Sequence, residues 1–145
     1  MLLEDFEKSK EEFLLNLSEN IKNRDKIKKE TILQRYSGEW LQLRRNMLTA
    51  SLFGTVIKRR EDISCGPLVK NLLSPKCLLN VASIRHGIVN ERVALQQLSV
   101  QENVVINPCG LYIDLEYLFF GASPDGVTED MIVEVKCPIT AFKMG

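Results

Sequence analysis

Three ionisable residues near the end of the sequence have the types and spacing of a hydrolytic site. Asp125 lies in the turn sequence Ser-Pro-Asp-Gly, and Glu134 and Lys136 lie in the apolar run 132–137. Because side chains alternate along a β-strand, Glu134 and Lys136 share one face of this run. A turn that pairs the run with the preceding strand would put Asp125 beside them. The pattern predicts two carboxylates and an amine converging at one sheet edge.

This set of groups suits metal-assisted cleavage of a phosphodiester. Hard divalent cations such as Mg²⁺ take oxygen ligands, which the carboxylates of Asp125 and Glu134 and the backbone carbonyl of Val135 supply. A cation held there lowers the pKa of a bound water and neutralises charge in the transition state. Lys136 would point at the same water or at a phosphate oxygen. We therefore predict Mg²⁺ as the cofactor, with Mn²⁺ as an acceptable substitute.

Each part of this pattern also has an ordinary structural explanation. Ser-Pro-Asp-Gly is a frequent β-turn sequence, with proline and glycine at favoured turn positions. A half-exposed strand with a glutamate and a lysine on its polar face is equally frequent. The convergence of Asp125 with Glu134 and Lys136 is what favours a site over unrelated surface residues.

A fourth acid, Glu91, lies on a predicted helix. It shares a helical stripe with three apolar residues, Ile88, Leu95 and Leu98. An unpaired carboxylate among core residues is costly, so Glu91 either extends to solvent, pairs with Arg85 or Arg92, or meets a cation. We favour the last hypothesis, in which Glu91 binds the metal or orients a metal-bound water. The only histidine, His86, lies at a helix start beside Gly87 and is interpreted as a cap or packing residue outside the site.

The elements that must position these residues are helices followed by a small sheet. Charged residues with an apolar stripe predict a helix over 1–36 that docks on the rest of the chain through Phe6, Phe13, Leu14, Leu17 and Ile21. Further helices are predicted over 39–46, 49–57, 68–73 and 76–100, with Thr49 or Ser51 as the N-cap of the second. Strands are predicted over 110–114, 117–122 and 131–137, the first two as a hairpin and the whole as an antiparallel meander. This arrangement is α+β, or half of an α/β sandwich.

Composition narrows the class of protein. The 145 residues suit one domain, with a helical extension over 1–36 and a core over 37–145. Lysine and arginine together number 19, as do aspartate and glutamate, so DNA affinity would have to come from local patches. The four cysteines show no zinc-binding spacing and are expected to be reduced. With no signal sequence or apolar span, we expect a soluble, intracellular protein that does not enter a membrane, in the nucleus or the cytoplasm.

Several motifs together resemble a known nuclease family. They are SPDG with Asp125, VEVKCP with Glu134 and Lys136, Gly87 to Glu91, Trp40 to Arg44, and Leu48 to Ser51. In this combination, from about residue 39 to 140, the sequence resembles the viral recombinase nucleases of the YqaJ type, related to phage lambda exonuclease. The resemblance implies a PD-(D/E)xK nuclease with a restriction-endonuclease-like α/β core. It also implies digestion of one strand of duplex DNA from a 5′ end with Mg²⁺.

The resemblance assigns roles to individual residues. Asp125 and Glu134 look like metal ligands and Lys136 like the catalytic lysine, while Glu91 looks like the acid of a second metal ion or its water. Arg44 and Ser51 match positions that hold the terminal phosphate, and a helix start near Ser51 suits an anion. Another phosphate-binding arginine of the family falls at Phe142, with Lys143 beside it as a substitute. The resemblance also allows a ring-like homotrimer that binds duplex ends.

Two rival hypotheses stay open. The family continues beyond the position of Gly145, so the sequence is either a fragment or a shortened gene product, which favours a catalytically silent module for DNA binding or assembly. The presence of all the central acids and Lys136 argues against this rival. A third hypothesis is an α+β interaction domain in which the motif is a coincidence.

Overall fold

The computed structural model describes residues 3–74 and 80–142. Its helices are α1 (Leu3–Lys22), α2 (Arg24–Glu30), α3 (Gly38–Arg45), α4 (Ala50–Ile57), α5 (Gly66–Leu73), α6 (Ala82–Glu102) and α7 (Ile139–Phe142), with a 3-10 turn at Gln34–Tyr36. Its strands are β1 (Leu48–Thr49), β2 (Tyr112–Ile113), β3 (Phe120–Ala122), β4 (Gly126–Val127) and β5 (Ile132–Val133). The predicted order, helices followed by a small and mainly antiparallel sheet, is confirmed.

The chain forms two compact units. The first contains residues 1–73 and 110–123, and the second contains residues 74–109 and 124–145. The α1 and α2 helices therefore belong to the same unit as α3 and α4. The predicted division at residue 36, between a helical extension and a nuclease core, stays a prediction about function.

The core of the first unit lies where α2 and α3 pack on a three-stranded sheet. Its buried side chains are Ile27, Met47, Leu111 and Ile113, and partly buried Ile21, Trp40 and Leu43 pack against them. Buried Thr31 follows α2; its hydroxyl donates to the Ile27 carbonyl (2.6 Å) and accepts from the Leu111 N–H (2.8 Å). Gly110, the residue before Leu111, lies so close to the end of α2 that a Cβ on it would collide with the Lys28 carbonyl oxygen. Only glycine fits there.

The sheet of the first unit has the order β1-β3-β2. The β2 and β3 strands form the predicted hairpin, with Tyr112 opposite Ala122 and Ile113 opposite Gly121. The β1 strand runs parallel to β3 in the register Leu48 to Phe120. The predicted meander is therefore wrong, because β3 pairs with β1 through a parallel contact that spans a long stretch of chain. Such a pairing leaves no turn signal in the sequence.

The predicted helix over 1–36 is also interrupted. It ends at Lys22 and resumes at Arg24, because Asn23 turns its side-chain amide back onto the Glu19 carbonyl at 3.3 Å. Asparagine offers the backbone this alternative partner and so interrupts helices. Of the apolar stripe, Leu17 is buried and Ile21 packs on the core. Three residues predicted to dock stay exposed, namely Phe6, Phe13 and Leu14.

The second unit is built on α6. This helix begins at Ala82, later than the predicted residue 76, and ends at Glu102, after which the C-cap residue Asn103 adopts the left-handed conformation. The β4 and β5 strands form a separate antiparallel pair, with Gly126 opposite Val133. A Cβ on Gly126 would lie 2.5 Å from the Ile106 side chain, so β4 and the segment after α6 are in close contact. The part of the 76–100 prediction that covers residues 76–79 lies outside the described residues.

Candidate active site

Asp125 is held in the turn between β3 and β4 by two hydrogen bonds to the strand that follows. Its backbone N–H donates to the Val133 carbonyl at 3.1 Å. Its carboxylate oxygen Oδ2 accepts from the backbone N–H of Val135 at 2.6 Å. The half-buried Asp125 side chain thus takes over as hydrogen-bond partner where the β4–β5 ladder ends. It lies directly against the segment that carries Glu134 and Lys136.

Glu134 and Lys136 lie side by side, although the strand that was predicted to hold them is shorter. The predicted strand over 131–137 is wrong in length, because the ladder ends at Val133 and Asp125 supplies a side-chain oxygen in place of a strand partner. The side chains after Val133 nevertheless alternate between exposed and half-buried positions, with Glu134 and Lys136 both exposed. The Lys136 ammonium donates to Oε1 of Glu134 at 2.5 Å.

Glu91 projects from α6 into a cleft of about 340 Å³ beside this segment. The cleft is lined by Ile84, Gly87, Ile88, Glu91 and the segment Val135 to Pro138. Because Gly87 is one helical turn before Glu91 and has no side chain, it leaves room above the carboxylate. The structure therefore places Glu91 in one cleft with Lys136.

The charges of the acids act together on Lys136. The hydrogen bond to Glu134 raises the pKa of the Lys136 ammonium above its ordinary value, and desolvation opposes this. The negative charges of Glu134, Asp125 and Glu91 each raise the pKa further. One cation thus experiences all three predicted acids. Within residues 3–74 and 80–142, no three His, Cys, Asp or Glu side chains form a group able to hold a metal ion.

The predicted phosphate-binding residues lie in the first unit. Arg44 on α3 is half-buried, and its guanidinium carbon lies 4.2 Å from the ring centroid of Trp40. Burial lowers the pKa of the Arg44 guanidinium. Ser51 in the first turn of α4 is exposed, and its hydroxyl lies 3.1 Å from that of Thr49, the N-cap residue. Lys143 lies outside the described residues.

Two hydrogen bonds, one in each unit, were not predicted from the sequence. One is the bond from the Val135 N–H to Asp125, and the other joins the indole N–H of Trp40 to the Ser123 hydroxyl at 2.8 Å. The second has a weak signal, since Trp40 and Ser123 both belong to the motifs of the family resemblance. The bond from Val135 to Asp125 has no signal in the sequence, because almost every residue has a backbone N–H that could donate it. His86, assigned to packing, accepts from the Asn90 side chain through its backbone carbonyl at 2.8 Å.

Comparison with known proteins identifies the family of this chain. Residues 39–144 match the family described as the YqaJ-like viral recombinase domain. The chain belongs to this family. The match begins at the first turn of α3 and includes all the candidate residues from Arg44 to Lys143. The YqaJ-like region therefore spans parts of both compact units.

Solved structures give the same result for the fold. An alkaline exonuclease from Laribacter hongkongensis, LHK-Exo, is similar to this YqaJ-like chain with a TM-score of 0.60 and 26% identity. The same enzyme in complex with dAMP matches with a TM-score of 0.61. In both comparisons the matched region makes up 74% of this chain and 57% of the exonuclease chain. The predicted nuclease-type fold is confirmed by these matches.

One curated relative comes from a virus. Uncharacterized protein R354 of Acanthamoeba polyphaga mimivirus is 32% identical over 108 residues, which are 71% of this chain and 19% of that protein. The chain thus spans about a fifth of this relative and just over half of the exonuclease. In the part of the chain that the structure describes, no helix is both long and apolar enough to cross a membrane.

Proposed function

We propose that this protein is a metal-dependent deoxyribonuclease that hydrolyses phosphodiester bonds of DNA, of the PD-(D/E)xK type. The observation that carries the proposal is the bond from Val135 to Asp125, which brings the turn acid against the Glu134 to Lys136 segment. Membership of the recombinase family and the similarity to an alkaline exonuclease support it. The proposed catalytic residues are Asp125, Glu134, Lys136 and Glu91.

The donors around Asp125 suit a hard cation. Asp125, Glu134 and the Val135 carbonyl would hold Mg²⁺ or Mn²⁺, and Glu91 would serve a second ion or its water. A bound ion would supply Lewis acidity toward the phosphate and a more acidic water. The bond from Val135 fixes one oxygen of Asp125, and the bond from Lys136 fixes one oxygen of Glu134. These bonds orient both carboxylates before a cation or substrate arrives, which reduces the conformational entropy lost when the cation binds.

Lys136 would act on the phosphate, and Glu91 in the cleft would act on the attacking water. The Lys136 ammonium is protonated at neutral pH, because its ordinary pKa of 10.5 is far above 7 and the neighbouring acids raise the pKa further. It can therefore stabilise charge on a phosphate oxygen, and its 78% exposed side chain would be accessible to one. Glu91 would orient an attacking water in the cleft.

The proposed polarity is digestion from a 5′ end. Arg44 offers a desolvated guanidinium, and Ser51 lies in the first turn of α4, where N–H groups favour an anion. Both would hold a terminal phosphate. This assignment makes the enzyme a 5′-to-3′ exonuclease acting on duplex ends in recombination or repair, working as a homo-oligomer such as a trimer.

The proposal is tested by incubating the purified full chain with three DNA substrates in Mg²⁺ or in chelator. The substrates are a linear duplex with 5′-phosphates, the same duplex with 5′-hydroxyls, and a closed circle. We expect mononucleotide release from the linear duplexes in Mg²⁺ alone, faster with 5′-phosphates, and an intact circle. Cutting of the circle would show an endonuclease. Intact DNA in every condition would contradict the proposal.

A second candidate function is a catalytically silent module that binds DNA or mediates assembly. It is favoured by one observation, that the described acids do not form a ready-made group around a cation. DNA binding in the absence of hydrolysis, unchanged by Mg²⁺ and by substitution of Glu134, would support this function over the first.

A further inference from the structure

Trp40 is anchored at three points within the first unit. Its backbone N–H donates to the Ser37 hydroxyl at 3.2 Å, in the N-terminal cap of α3. Its indole N–H donates to the Ser123 hydroxyl at 2.8 Å. Its ring packs against the buried core around Met47 and Leu111. The position and tilt of the indole ring are therefore set by the fold.

The face of this fixed ring carries Arg44. The guanidinium carbon of Arg44 lies 4.2 Å from the ring centroid, the distance of a cation–π contact. Arg44 is half-buried, whereas its neighbour Arg45 is exposed. Two adjacent arginines of one helix thus have different surroundings, and Arg44 is the one that lies over the Trp40 ring.

We propose that Trp40 is a positioning residue that holds the Arg44 guanidinium in place to bind a terminal phosphate of DNA, with Ser123 fixing the ring. The inference rests on the proposed role of Arg44 in phosphate binding. An arginine side chain has many rotamers, and ordering them opposes binding. Stacking on a ring that is already fixed removes part of that cost. It also leaves the N–H groups at the guanidinium edge, which lie in the plane of the group, directed toward a ligand.

The test measures affinity without hydrolysis. A short fluorescein-labelled duplex, carrying either a 5′-phosphate or a 5′-hydroxyl, is titrated with the full chain in chelator. The ratio of the two dissociation constants is the phosphate preference. We compare the parent with Arg44→Ala, Trp40→Leu, Trp40→Phe and the double variant Arg44→Ala/Trp40→Leu. Arg45→Ala removes an equal charge from the same helix and is the matched control.

We expect Arg44→Ala and Trp40→Leu each to reduce the preference about fivefold, and the double variant to reduce it no further. Trp40→Phe keeps an aromatic face but loses the bond to Ser123, so it should recover part of the preference. Arg45→Ala should weaken binding to both ends equally and leave the ratio unchanged.

A second measurement uses tryptophan fluorescence, because Trp40 is the only tryptophan of the chain. The 5′-phosphorylated duplex should change its emission more than the 5′-hydroxyl duplex, and Arg44→Ala should remove that difference. A tryptophan with a purely structural role would respond equally to both duplexes.

The outcomes separate the inference from the proposed function. A folded Trp40→Leu protein that keeps the parental ratio, while Arg44→Ala loses it, overturns the positioning role alone. If Trp40→Leu does not fold, Trp40→Phe and Ser123→Ala decide in its place, and parental ratios in both overturn the role. A parent protein without phosphate preference overturns the role of Arg44 and the inference together. Nuclease activity in Mg²⁺, measured separately, does not affect either conclusion.

Discussion

Val135 donates its backbone N–H to the carboxylate of Asp125, with 2.6 Å between the nitrogen and Oδ2. Asp125 lies between β3 and β4 and Val135 follows β5, and this bond keeps the turn acid against the segment of Glu134 and Lys136. Asp125 therefore has two separable roles, as a hydrogen-bond acceptor that stabilises the fold and as a negative charge in the site.

Substitutions of Asp125 should separate these roles. Asp125→Asn keeps an oxygen that can accept from Val135, so its unfolding free energy should stay within about 0.5 kcal/mol of the parent. Asp125→Ala loses the acceptor, so its unfolding free energy should fall by about 1 kcal/mol. Both variants should lack nuclease activity, because neither carries the charge. Urea unfolding and a DNA digestion assay check this, and parental activity in Asp125→Asn would remove the carboxylate from the mechanism.

Glu134 and Lys136 should matter for activity and not for stability. Their side chains are 57% and 78% exposed, so Glu134→Gln and Lys136→Met should change the unfolding free energy by less than about 0.5 kcal/mol. Each should reduce the rate of DNA hydrolysis about a hundredfold or more. Glu129→Gln, an exposed acid in the turn before β5, is the control. Equal rates in Glu134→Gln and Glu129→Gln would exclude Glu134 from the site.

The pKa of Lys136 gives a prediction at alkaline pH. Because the folded pKa is raised, the contribution of the ion pair to stability is complete below the ordinary value of 10.5 and is lost as pH rises through the folded value. The contribution is small at this exposed position and is screened by salt. In chelator, the Nζ chemical shift of Lys136 should titrate with a midpoint above pH 10.5 in the parent protein. The midpoint should lie at a lower pH in Glu134→Gln than in the parent. Identical midpoints would show that Glu134 does not hold the ammonium.

Gly126 should not tolerate a side chain. An added Cβ would lie 2.5 Å from Cγ2 of Ile106, so Gly126→Ala should destabilise the protein by about 1–3 kcal/mol in urea unfolding. Gly87→Ala is the matched control in the same unit, because nothing lies within 4 Å of its added Cβ. Within α6, alanine should stabilise by about 0.5–1 kcal/mol. Equal midpoints for the two variants would mean that β4 can move away from Ile106.

The sequence was informative where local chemistry determines the structure. The turn at Asp125, the hairpin of β2 and β3 and the N-cap at Thr49 follow from short patterns of neighbouring residues. The predicted alternation is also observed, since Glu134 and Lys136 are exposed and Val135 between them is half-buried.

The sequence was less informative where distant segments meet. The parallel pairing of Leu48 with Phe120 and the bond of Trp40 to Ser123 join residues far apart in the chain. Neither leaves a periodic signal. The break at Asn23 depends on which of two hydrogen-bond partners its side chain takes, and helix-forming neighbours on both sides conceal it.

The position of Thr31 also bears on where a stable shortened form of this polypeptide could begin. It precedes the recombinase region, which begins at Glu39, yet its hydroxyl is the partner of the Leu111 N–H within that region. A recombinant protein started at Glu39 would expose Leu111, whose accessible fraction is 0%, and would be expected to precipitate. The region shared with the family and the compact unit that contains Leu111 therefore have different limits.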